Sequence, residues 1–343
     1  MSNQQPAINL RAIVKKVLET IDREREREII SRRFGLNDRR ETLEQIGDLL
    51  GITRERVRQL EKAVLARLKA QAADGELPSI AEAEKVFIKH LHELGRVATV
   101  ADLTQAISGQ DDDRSQAHVA LIATIAPGLV IIDENDDYRP AVAIGEHHDE
   151  AKVRHLIDQV VEEIKTVGQP VSIDELHARL RFEHPQHIQA LASVSKRLAS
   201  LRNLWGLIKW PLVNPKNIRD KIYVVLKDND KPMHFSAIAG AIKNSSFKRK
   251  DVTTQAIHNE LIKDKRFVLI GRGIYALKEW GYKKGTVADV ITEVLKKSGK
   301  PLHRDEIVKR VLKSRRVKET TILLNLQGKP QFKRVAKATY DLA

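Results

Sequence analysis

The chain has 343 residues, of which 42% are hydrophobic, only 4% aromatic and 31% charged, with no cysteine and a formal net charge of +14. This is enough material for two or more globular domains with small aliphatic cores. It excludes disulfides, thiolate metal sites and a cysteine nucleophile, in keeping with a reducing compartment. No run approaches the roughly 18 to 20 apolar residues of a membrane span. The opening MSNQQPAINLRAIVKK also lacks the apolar stretch of a secretory signal, so a soluble cytoplasmic protein is expected. Residues 1–71 carry a net +5, residues 72–214 a net −8 and residues 215–343 a net +17. Two basic ends around an acidic middle point to a polyanionic partner for the ends and to another role between them.

In chain order, an amphipathic helix is predicted from Leu10 to Thr20, and a second opens at Asp22 as N-cap with Ile29, Ile30 and Phe34 as its apolar positions. Thr42 and Gln45 form a capping box for TLEQIGDLL, in which Leu43, Ile46, Leu49 and Leu50 make one apolar face. Gly51 stops that helix and Thr53 caps the next, whose Val57, Leu60, Val64 and Leu68 face inward. A short helix, a glycine-containing turn and a longer helix make a helix-turn-helix. The longer helix opens with Arg54, Arg56 and Arg58, although the positive end of the helix dipole disfavours cations there. A polyanion outside the helix would supply the missing negative charge. Arg54, Glu55, Arg58 and Gln59 fall on its outer face and are the base-reading candidates: Arg and Gln make paired bonds to guanine and adenine, and Glu accepts from cytosine. The alternative is an ordinary helical hairpin with solvated charges.

REREREIISRRFGL followed by TLEQIGDLLGITRERVRQLEKAVLARL resembles region 4 of the sigma-70-type transcription initiation factors, over about residues 8–71. The resemblance implies a domain that reads the minus-35 promoter element in double-stranded DNA and docks on the flap of the RNA polymerase β subunit. Carried over by position, Arg54, Glu55 and Gln59 would read bases, while Arg25, Arg33, Arg56, Arg58 and Lys62 would contact the backbone. Only a few residues precede the domain, so a complete initiation factor is not expected. A bacterial, nucleoid-associated protein is.

After AADGELPS, expected to be a linker over 72–83, a theme repeats every 60 to 75 residues or so. ELGRVATVADLTQAI, TVGQPVSIDELHARL, DNDKPMHFSAIAGAI and KSGKPLHRDEIVKRV align, each joining one amphipathic helix to a second. A third helical stretch and a β-prone tail follow each, which is the order of a winged helix. Units are expected over 84–145, 152–214, 217–282 and 286–343. The last two resemble the HARE-HTH family, which includes the N-terminal domain of the RNA polymerase delta subunit; this implies association with nucleic acid or the transcription machinery. Their secondary basic candidates are Lys248, Arg249 and Lys250, before a helix expected to be capped by Asp251; Arg272, between Gly271 and Gly273; and the run Lys313, Arg315, Arg316, Lys318, Lys333, Arg334 and Lys337. Gly271-Arg272-Gly273 fits equally a wing tip that approaches a phosphate and a plain hairpin turn with a solvated arginine. DDDR at 111–114 and DENDD at 133–137 would repel DNA, so the first two units are expected to face protein or act as a spacer.

EHHDE at 146–150 and the pair His184 and His187 contain metal-ligand residue types without a second cluster at a defined spacing, and DENDD lacks the glycine and distal glutamate of a calcium loop. No phosphate-binding loop and no nucleophile-base arrangement stands out. No metal, cofactor, small-molecule substrate or enzymatic activity is expected. The expected fold is mainly α: a helix-turn-helix followed by tandem winged-helix-like units with short β-hairpin wings. The expected function is DNA-binding transcription regulation, with a delta-like RNA polymerase accessory protein as the alternative.

Overall fold

A computed structural model describes residues 8–145, 149–247, 249, 251–282, 285–315 and 317–343. The chain is mainly helical and divides into two compact units, Met1–Ile208 and Lys209–Ala343. Among the described residues, no helix is long and apolar enough to cross a membrane.

The first unit opens with α1 (Leu10–Glu19) and α2 (Glu24–Phe34). The N-cap of α2 is Arg23, with no side-chain bond, and not Asp22. Asp22 stands one residue too early, and Glu24 and Glu26 supply the acid that suits a first turn. Gly35 ends α2 in the left-handed region with φ of 72°. A Cβ there would lie 2.8 Å from the Arg40 backbone nitrogen, so only glycine lets the chain double back this tightly. α3 (Leu43–Leu50) starts on the Thr42–Gln45 capping box and stops at Gly51, also left-handed. α4 (Arg54–Ala73) starts at Thr53, whose hydroxyl accepts from the Arg56 amide at 3.2 Å.

Ile29, Ile46 and Val57 form the small core of these helices, with Leu43, Leu50, Ile52 and Leu60 packed around it. Leu49 does not share the apolar face expected of it. It is 55% exposed, because a step of about 100° per residue carries it past the edge of the stripe set by Leu43, Ile46 and Leu50.

The second half of α4 belongs to a different core. Val64, Leu68 and Ala72 pack in one continuous cluster with Val14 and Val17 of α1, Phe87 and Leu91 of α5 (Pro78–Leu94), and Val119 and Ile122 of α7 (Asp113–Ile125). The segment 72–83 is therefore not a linker: α4 runs to Ala73, α5 begins at Pro78, and Leu77 and Ile80 are buried. Proline at the first helical position, where no amide partner is needed, makes so short a turn workable.

Four repeats follow, each of three helices and a small three-stranded sheet. The first comprises α5, β1 (Val97–Thr99), α6 (Val100–Ser108), α7, β2 (Leu129–Ile132) and β3 (Ala141–Ile144). The second comprises α8 (Glu150–Val167), β4 (Val171–Ser172), α9 (Ile173–Leu180), α10 (Pro185–Val194), β5 (Leu198–Leu201) and β6 (Leu204–Leu207). The third comprises α11 (Ile218–Asn229), β7 (Met233–His234), α12 (Phe235–Lys243), α13 (Thr254–Lys263), β8 (Phe267–Gly271) and β9 (Ile274–Leu277). The fourth comprises α14 (Val287–Ser298), β10 (Leu302–His303), α15 (Arg304–Ser314), α16 (Glu319–Gly328), β11 (Phe332–Ala336) and β12 (Thr339–Leu342).

In each, the last strand lies between the other two in an antiparallel sheet. The strand between the first two helices was not anticipated, since two or three residues are too few to show alternation. The first helix of every repeat ends on a left-handed residue, Gly95, Gly168, Asp230 or Gly299, which is the turn shared by the four aligned stretches. α13 is capped by Thr253, which accepts from Ala256, and not by Asp251.

The acidic loop between β2 and β3 is bound to the second repeat. Lys196 donates to Glu134 at 2.7 Å and to the Asn135 carbonyl at 2.8 Å. Arg139 bonds the Ser195 carbonyl at 2.8 Å, and Arg197 pairs with Asp137 and Asp158. Tyr138 donates to Asp158 at 2.9 Å. DENDD thus serves as a tie between two repeats.

Candidate nucleic-acid interface

The closeness of α3 to α4 depends on Gly47. A Cβ at this position would stand 2.7 Å from the Ile52 carbonyl oxygen, while the Ile52 amide donates to the Gly47 carbonyl at 2.9 Å. The turn between the helices is therefore as tight as a residue without a side chain permits. α2 braces the pair from behind. Glu26, buried, accepts from Arg67 at 2.9 Å and from Arg23 at 3.3 Å. Arg33 pairs with Glu61 at 3.1 Å and donates to the Glu41 carbonyl at 2.8 Å.

On the outer side, Arg54, Glu55, Arg56, Arg58, Gln59 and Lys62 are all exposed. Glu55 accepts from Arg58 Nε at 2.8 Å and Nη2 at 2.7 Å, and from Gln59 at 3.4 Å. The bond from Arg58 holds the Glu55 carboxyl below its ordinary range and raises the Arg58 guanidinium in turn. These groups keep one another oriented on two turns of one helix, with none of them committed to the core. Such an array offers paired donors and an acceptor to base edges and cations to phosphates.

Of the expected backbone contacts, Arg56 and Lys62 face solvent. Arg25 is exposed but its Nη2 bonds the Leu50 carbonyl at 2.6 Å, closing the end of α3. Arg33 is only 17% exposed and is held by Glu61; in the structure it ties helices together.

The family model described as Sigma-70, region 4 matches residues 23–70, which are α2, α3 and most of α4. RNA polymerase sigma factor sigB of Arabidopsis thaliana is 39% identical over 69 residues, 20% of this chain and 12% of that protein. RNA polymerase sigma factor SigA of Nostoc sp. is 44% identical over 61 residues, 18% of this chain and 15% of that protein. SigA of Bacillus sp. is 39% identical over 74 residues, 21% of this chain and 19% of that protein. The chain thus spans less than a fifth of the length of these relatives. The N-terminal helix-turn-helix is similar to sigma-70 region 4.

The described secondary basic candidates sit on separate elements of the last two repeats. Arg249 is exposed, and its carbonyl accepts from the buried Lys221 ammonium at 2.7 Å. Lys248, Lys250 and Arg316 lie outside the described residues. Arg272 is exposed in a two-residue turn between β8 and β9, held down because Gly273 packs where a Cβ would be 2.5 Å from His234 Nε2. Lys313 is exposed on α15 and lines a groove with Val290 and Arg310; Lys318 caps α16. Lys333 and Arg334 are exposed neighbours on β11, and successive residues of a strand point to opposite faces.

Arg315 corrects the reading of the basic run as a surface patch. It is 9% exposed, with Nε and Nη1 buried and without a hydrogen-bond partner. Burial lowers its pKa, opposed by Asp289. Of the histidines considered as metal ligands, His187 is buried against Phe182 with ring centroids 5.6 Å apart; no cluster of three or more His, Asp or Glu suited to a metal occurs among the described residues.

Gly47 and Glu26 escaped the sequence reading. A glycine inside a helical pattern is a usable signal for close backbone approach. An acid within the run REREREIIS carries none, because the run looks uniformly solvated.

Proposed function

We propose that this chain binds double-stranded, promoter-like DNA by seating the first two turns of α4 in the major groove, and that it acts as a transcription regulator. The observation that carries the reading is the exposed array Arg54, Glu55, Arg58 and Gln59 at the start of α4, on a helix-turn-helix similar to sigma-70 region 4. Arg54, Glu55 and Gln59 read base edges. Arg58, poised on Glu55, is released to a base or a phosphate, and Arg56 and Lys62 hold the backbone. The last two repeats, which resemble HARE-HTH winged helices, add phosphate contacts through Arg272 and through one of the oppositely facing Lys333 and Arg334. These raise avidity without adding specificity.

The test is fluorescence anisotropy of the full chain with a minus-35-like duplex and a scrambled one across a salt series. Arg54→Ala and Gln59→Ala should each reduce the preference for the matched duplex by about 1 to 3 kcal/mol. Equal binding of both duplexes by the unaltered chain would overturn base reading.

One observation favours a second reading, a delta-like accessory protein that docks on RNA polymerase, including the flap of its β subunit. The exposed Asp111, Asp112 and Asp113 belong to the same compact unit as the helix-turn-helix, which suits a protein partner better than DNA. Retention of purified core polymerase by the chain, unchanged by Arg54→Ala, together with no duplex binding, would support it.

A further inference from the structure

A cavity of about 340 Å³ lies between α1, the chain after α2 and the start of α7. Among the described residues, three cations line it, Arg11 and Lys15 from α1 and Arg114 from α7, together with His118, and no carboxylate does. Val14 and Leu36 give it an apolar wall. Arg114 spends one donor on the Asn37 carbonyl at 3.0 Å, and Lys15 stands 3.9 Å from Glu19, a loose and exposed pair.

His118 is the second, independent sign of a ligand. Its side chain is 7% exposed, and its ring nitrogens hydrogen-bond to none of the described residues. Burial lowers its pKa first and Arg114 next; Asp112 opposes them, and Arg11 adds a smaller lowering. Three cations around one cavity repel one another. A multiply charged anion would offset the repulsion and take charge-assisted bonds from all four groups. The volume falls at the small end of ligand pockets.

We propose that this cavity binds the phosphate of a small phosphorylated metabolite. Arg11, Lys15 and Arg114 take the phosphate oxygens, His118 donates from within, and Val14 and Leu36 meet the rest of the molecule. The inference is independent of the DNA reading, since its readout is binding of the small anion itself.

The experiment is calorimetric titration of the full chain with inorganic pyrophosphate, followed in parallel by NMR of the His118 imidazole. A single saturable site is expected, with movement of the His118 resonances. Arg11→Gln and His118→Gln should each weaken it about tenfold, the scale of one charge-assisted bond. Lys16→Gln, exposed on α1 but outside the cavity, should leave it unchanged. No saturable heat at millimolar pyrophosphate would overturn the proposal, as would equal weakening by Lys16→Gln, which would mark diffuse attraction to a basic protein. A third outcome also overturns it: Arg11→Gln weakens binding of any duplex DNA and leaves pyrophosphate untouched, which would assign these cations to the DNA backbone.

Discussion

In the N-terminal helix-turn-helix, Arg54, Arg56 and Arg58 lie within two turns of one helix and all face solvent. In the last repeat, Lys313, Arg315, Lys333 and Arg334 belong to the most basic part of the chain, yet they share no single helix face. Arg315 turns inward, and Lys333 and Arg334 occupy opposite faces of a strand. The difference lies in what stands behind the charges. α4 has Val57 and Leu60 to pin one side, so its polar residues share the other; a β-strand and a helix end divide theirs. Net charge draws a polyanion near, but shared orientation on a rigid element makes a reading surface.

The largest expected effect breaks the comparison at its base. Leu68 is fully buried where α4 meets α7, and Leu68→Ala should cost about 3 kcal/mol, seen as a lower urea midpoint. Hydrogen exchange should show α4 and α7 losing protection together while α14 to α16 keep theirs; loss confined to α4 would mean an autonomous N-terminal domain.

Next is Gly47→Ala, which forces a methyl group against the Ile52 carbonyl. We expect a loss of about 2 kcal/mol and disappearance of base preference in the anisotropy assay. Phosphate attraction by the last repeat should persist.

Smaller still is the effect of removing single cations from β11. Because the two face oppositely, only one of Lys333→Gln and Arg334→Gln should weaken all duplexes alike and lower the salt slope by about 1. Equal changes from both would mean that the hairpin enters a groove edge-on.

Arg315→Met should do least: neutral, or stabilising by up to about 1 kcal/mol, because a guanidinium with two unpartnered nitrogens leaves the interior. A loss of DNA affinity would return Arg315 to the interface.

Local chemistry was legible in the sequence, and distant packing was not. The Thr42–Gln45 box, the stop at Gly51 and the cap at Thr53 each join residues no more than five apart, so residue type and spacing determine them. The repeat was legible for the same reason, through turns that recur at Gly95, Gly168, Asp230 and Gly299. The inward face of Val64 and Leu68 was readable, but their partners on α5 and α7 were not, since periodicity says that a face is covered without saying by what. The outward array of α4 was legible because four polar residues share one side of a helix. The retirement of Arg33 and Arg315 was not, because a cation in a charged run gives no sign of which member finds a carboxylate or a pocket.

The seam between α4 and α7 has a consequence for heredity. The stretch that matches sigma-70 region 4 stops at residue 70, in the middle of a core to which Val64 and Leu68 are committed. Recombination that moved only that stretch into another gene would deliver a helix whose stripe of Val64 and Leu68 is left uncovered and prone to aggregate. A helix-turn-helix built this way is not transferable by itself, because the last turns of α4 need α5 and α7 beside them.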